Sequence, residues 1–144
     1  MTAKEFFMQI RQLETAIESK KMLAETYRQL ALGTSSPQYS DMPKSTTIKL
    51  EPMAEALMKA MEIEDEINQL ECEVSRYKVK AVDIIQLLTS SEHQTVLLSR
   101  YFKRETWDEI REKMFYSSSG IYKLHGQALA EVDKLLKVEL SRVE

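Results

Sequence analysis

Residues 116–129, YSSSGIYKLHGQAL, gather three serines, two tyrosines, a lysine and a histidine just where the chain turns apolar at Ile121, Leu124 and Ala128. Spacings of three and four put those apolar residues on one helical face. Ser118, Ser119, Tyr122 and Lys123 fall on another, and Ser117 has the side chain of an N-cap. The front of such a helix offers unpaired backbone N–H groups and the positive end of the helix dipole. Both favour anions, phosphate above all. Hydroxyl and ammonium donors at this position suit non-covalent recognition of phosphate oxygens or base edges, with Gly120 permitting close backbone approach.

Covalent chemistry has no comparable support. The chain carries no phosphate loop, no Gly-x-Ser-x-Gly and no His-Glu-x-x-His. The acids Glu64-Asp65-Glu66 are expected on a solvated helix face. Cys72 is the one cysteine, and His93 and His125 are the two histidines. Neither an intrachain disulfide nor a metal set follows from them, so no cofactor is expected and a reducing cytoplasm fits. The residues point to a binding protein, not an enzyme.

These donors must be held by helices. Gly and Pro number three each among 144 residues, and 30% of the chain is charged. Breakers are too scarce for β-hairpins, and the expected class is all-α. Phe6, Ile10, Leu13, Ile17, Ala24, Tyr27 and Ala31 recur at helical spacing over residues 3–31, and Gly33 stands where a left-handed cap closes a helix. Residues 33–51, with Pro37, Pro43 and a Ser/Thr cluster, read as a linker. A second long helix is expected from Pro52 to about Thr89 along Ala56, Ala60, Ile63, Ile67, Leu70, Val74, Tyr77 and Ala81, with the proline in its first turn. Narrow coiled-coil-like seams bury themselves by pairing within the chain or with a second copy, so a homodimer or higher oligomer through the long helices is expected. Met53, Met58 and Met61 belong to that core or interface.

Residues 90–144 change style and are expected to form a domain of their own. Ser90-Ser91-Glu92 opens a short helix carrying Val96, Leu97 and Tyr101. Thr106-x-x-Glu109 has the form of a capping box. A helix over 107–114, with Trp107, Ile110 and Met114 inward, is followed by the turn Phe115-Tyr116-Ser117 and a helix from 118 to about 140. Short helix, tight turn, longer helix is the order of a helix-turn-helix, in which the front of the second helix enters the major groove of duplex DNA. Ser118, Ser119, Tyr122 and Lys123 are the candidate DNA contacts, with Arg104 and Thr106 at the front of the bracing helix. Arg100, Lys103, Arg111 and Lys113 could add to the patch.

The stretch TWDEIREKMFYSSSGIYKLHGQAL resembles region 4 of bacterial sigma factors. Thr106, Trp107, Asp108, Glu109, Ile110, Met114, Ser117, Ile121, Leu124 and Ala128-Leu129 occupy the pattern in register. The whole chain is similar to ArpU- and RinA-type transcription regulators of phages and mobile elements, with RYF…TWDEI…YSSSGIYKLHGQAL as the specific part. The resemblance implies a double-stranded-DNA-binding regulator of phage genes. The chain departs from the sigma pattern at Ser118, Ser119, Gly120 and Tyr122, where that pattern carries arginines and a glutamate, and at Phe115, where its turn has glycine.

The net charge of −3 and pI of about 5.6 exclude a uniformly basic nucleic-acid binder, so DNA contact must rest on a local patch and gain from two half-sites. The same acidity leaves two further readings open. One is a small terminase subunit. The other is a module docking on RNA polymerase or a repressor. No stretch is apolar enough to suggest a membrane span, and no signal peptide is expected.

Overall fold

The computed structural model describes residues 1–33 and 43–143, and all elements in them are helices: α1 (Ala3–Ala31), α2 (Pro43–Gln86), α3 (Ser91–Tyr101), α4 (Trp107–Met114) and α5 (Ser118–Val143). The bounds of α1 follow its sequence. Thr2 starts it, its hydroxyl accepting from the Glu5 N–H at 3.2 Å. Gly33 ends it at φ +63°, the left-handed conformation that glycine adopts without steric cost.

Helix α2 departs from expectation at its front. It begins at Pro43 and contains Pro52 in its interior, so residues 43–51 are helix and not linker. Pro43 satisfies the first-turn rule that Pro52 was expected to satisfy. Residues 34–42, including Pro37, lie outside the described residues.

The chain forms two compact units, Leu13–Val74 and a second made of residues 1–12 with 75–144. Within the first, α1 and α2 pair antiparallel in the same chain. Ile17, Ala24, Ala56, Ala60, Ile67 and Val74 are buried along the seam, and its alanines let the helices approach closely. Lys20, the polar interruption of that seam, reaches Glu66 at 2.6 Å, and Lys21 lies 3.5 Å from Glu71. Arg28 donates two parallel bonds to Glu64, each 2.6 Å. Met53 is half-buried, but Met58 and Met61 are 63% and 53% exposed, so neither fills the core of this hairpin.

The second unit takes in more of the chain than residues 90–144. Helices α3, α4 and α5 do pack on one another, but the front of α1 and the end of α2 share their core. Phe6, Phe7 and Ile10 from α1 are buried in the same unit as Ala81, Ile84, Ile85 and Leu88 from the end of α2 and its following turn. Val96 and Leu97 of α3, Ile110 of α4, and Ile121, Leu124, Ala128, Val132 and Leu136 of α5 complete it. Phe7 stacks on Tyr101 with ring centres 4.6 Å apart, and the Ala3 N–H donates to Asp133 at 2.6 Å. An apolar stripe as wide as that of α5 needs more cover than two short helices supply.

Candidate nucleic-acid interface

Local signals set the frame of α4 and the front of α5. Thr106 caps α4, its hydroxyl accepting from the Glu109 N–H at 3.2 Å. The expected capping box is half-formed, because no return bond from the Glu109 carboxylate accompanies it. Phe115 ends α4 at φ +62°, a left-handed conformation adopted without glycine, and its ring is 94% exposed. Without glycine at that position, the left-handed turn carries a steric cost of about 1–2 kcal/mol. The Tyr116 N–H closes the turn on the Arg111 carbonyl at 3.0 Å.

Ser117 caps α5, accepting from the Gly120 N–H at 3.0 Å. A Cβ at Gly120 would meet Ser117 Oγ at 2.9 Å and the Tyr116 ring at 3.2 Å. Its lack of a side chain therefore serves the cap itself. Beyond the cap the two faces of α5 separate as expected. Ile121, Leu124 and Ala128 are buried, whereas Ser118, Ser119, Tyr122 and Lys123 are exposed.

The structure brings these four together on the outer face at the front of α5. Arg104 is exposed in the α3–α4 turn, held there at φ +54°. Thr106 is also exposed, but its hydroxyl is engaged in the cap. Of the other cations, Lys113 turns back into the unit, donating to the buried Ser99 hydroxyl at 2.7 Å and to Glu105 at 2.8 Å. Arg111 lies 3.7 Å from Asp108. Tyr116 donates to Glu92, and that bond raises its pKa above the usual phenol value.

Behind this face lies a cluster of rings. Trp107 packs against Tyr122 at 5.1 Å and His125 at 4.8 Å, and Arg100 stacks on Trp107 at 4.7 Å. Trp107 is therefore half-buried, a bridge from α3 to the exposed side of α5. His125 takes part in the packing, not in the outer face. Its Nε2 lies 2.8 Å from the Tyr101 hydroxyl, and burial, with Arg100 and Lys4 nearby, lowers its pKa to about 4. His93 sits 2.9 Å from Glu131, which also accepts from Thr89, and these bonds hold the Glu131 carboxyl below its ordinary range.

Sequence reasoning missed Arg11. It lies in α1, more than eighty residues from the motif, yet it lines a cleft with Arg100, Tyr101 and Arg104. Only its charge at an exposed helical position marked it, and no local pattern tied it to the α3–α4 turn. Among the described residues no cluster of His, Cys, Asp or Glu could hold a metal, and no helix is long and apolar enough to cross a membrane. Compared with protein-family models, curated proteins and solved structures, the chain matches none of them.

Proposed function

We propose that this protein is a sequence-specific double-stranded-DNA-binding regulator of the phage type, in which α4 and α5 act as a helix-turn-helix and the long helices join copies into a dimer or higher oligomer. The observation that carries the reading is the outward face at the front of α5. There Ser118, Ser119, Tyr122 and Lys123 are exposed around capped backbone N–H groups while the opposite face is buried. Small hydroxyls, one aromatic ring and one cation can enter a major groove without filling it. The resemblance to sigma region 4 supports the helix order and the buried face, while the four outward residues depart from that pattern and are read from their chemistry. In this reading α4 braces α5, Arg104 approaches the backbone, and base edges meet Tyr122 and Lys123.

A mobility-shift titration on duplex DNA from upstream of the protein's own gene tests this at low and moderate salt. Lys123→Glu adds repulsion at an exposed position without touching the core. It should weaken binding at least tenfold, since a charge-assisted contact contributes about 1.5–3 kcal/mol. Tyr122→Ala should relax sequence preference, with helical content checked because Tyr122 packs on Trp107. Undiminished binding by Lys123→Glu would remove α5 from the interface. The net charge of −3 favours one other reading, a protein-interaction module. Failure of every duplex to bind, with a polymerase subunit or a repressor binding instead, would favour it.

A further inference from the structure

Arg11, Arg100 and Arg104 converge on one small cleft beside Tyr101. Like charges gather at a cost unless something anionic answers them. Arg100 donates to a backbone carbonyl, that of Glu105, at 3.2 Å. The Glu105 carboxylate itself is turned to Lys113 at 2.8 Å. Arg104 is already engaged within the chain, so an incoming anion has to compete for it. Burial raises the Tyr101 phenol while Arg100 and Arg11 pull it back, placing both guanidiniums within electrostatic reach of one ring.

The backbone of each arginine is placed by the structure around it. Arg11 follows the buried Ile10 on α1. The guanidinium carbon of Arg100 lies over the Trp107 ring, 4.7 Å from its centre. Arg104 sits at φ +54°, a backbone conformation that a non-glycine residue adopts only where its surroundings impose it. Planar forks from separate elements, one pre-stacked on an aromatic ring, form the arrangement that grips a tetrahedral oxyanion from several sides.

We propose that this cleft is a seat for a phosphate group. Trp107 connects the seat to the exposed Tyr122, each step about 5 Å between centres. A backbone phosphate held there would lie beside a groove occupied by the front of α5. That source, the duplex backbone, rests on the DNA-binding reading above. A free phosphate ion offers the same chemistry without it.

Two arms separate the sources. Trp107 is the one tryptophan of the chain, and Arg100 lies over it, so its emission reports the seat through that arginine. Inorganic phosphate, titrated into the full-length protein at constant ionic strength against chloride, should change that emission saturably. Arg11→Gln, at an exposed position, should weaken the response about tenfold with an unchanged circular dichroism spectrum. In the second arm, a short duplex of unrelated sequence is titrated at several salt concentrations. Arg11→Gln should reduce the log–log salt slope by about 0.9, one phosphate contact, equally for all sequences.

An Arg11 effect in the duplex arm assigns the seat to the DNA backbone. A phosphate response lost in Arg11→Gln, with no duplex binding by the unmodified protein, keeps the seat and sinks the DNA reading. Lys59→Gln removes a charge from the hairpin unit. If it lowers the slope as much as Arg11→Gln, and phosphate leaves Trp107 emission unchanged, the effect is bulk charge and the seat is overturned. The seat is equally overturned if Arg11→Gln matches the unmodified protein in both arms.

Discussion

His125 stands four residues past Ile121 on α5. The structure puts its ring among Tyr101 and Trp107, with Nε2 2.8 Å from the Tyr101 hydroxyl. A neutral imidazole can accept that hydroxyl proton, and a protonated one cannot. Burial is the main cause of its low pKa, about 4 against 6.5 for the free side chain. Between those values the unfolded chain binds a proton that the folded chain excludes. The contribution is complete above pH 6.5 and is lost as pH falls toward 4. Glu131, whose carboxyl is also lowered, keeps its contribution above the ordinary carboxylate range and loses it only as pH falls below that range, so between pH 7 and pH 5 the drop is not its own. Urea midpoints should therefore drop between about pH 7 and about pH 5, and His125→Gln should flatten that drop. An equal drop in the variant would assign the titration to another group. Phe115 makes the complementary point. Its sequence context named a turn, but only coordinates show that a non-glycine residue takes the left-handed conformation there.

At the scale of elements, legibility followed the strength of local chemistry. The two ends of α4 were readable because Thr106 is a strong cap and the apolar run stops at Met114. The front of α5 was readable for the same reason, through Ser117. The start of α2 was not, because two prolines compete for the first turn and either can occupy it. Nor was the membership of the second unit, since Phe6 and Phe7 look like the opening of the α1 seam and nothing local says that they pack with α3 and α5. Pro52 offers a direct check on α2. Inside a helix it removes one backbone donor and leaves the carbonyl four residues earlier, that of Ile48, without its partner. Pro52→Ala should restore that bond, raise the helical signal in circular dichroism, and stabilise the protein by about 1–3 kcal/mol in urea unfolding. A neutral result would return the start of α2 to Pro52.

On the scale of the whole molecule, the described hairpin satisfies one seam and leaves other apolar side chains in water. Met22, Leu30, Met58 and Met61 are 70%, 58%, 63% and 53% exposed. Two paired helices form a thin layer, and bundles of four bury what two cannot. The exposed ion pairs along the hairpin contribute little to its stability, which raises the weight of apolar contacts between copies. Association matters for the proposed function because a chain of net charge −3 holds DNA weakly through one motif. Two motifs linked in one dimer turn the second contact into an intramolecular event, with gains of about 10²–10⁴ in avidity. The double substitution Met58→Lys with Met61→Lys places two charges on this surface without touching α3, α4 or α5. Light scattering at several concentrations should show the unmodified protein as a dimer or larger and the variant as a monomer. Duplex affinity should fall at least tenfold with the loss of association, while near-ultraviolet dichroism of Trp107 stays the same. A variant that remains associated would move the interface off this part of α2. One that becomes monomeric yet binds duplex with undiminished affinity would show that a single copy carries the whole DNA contact.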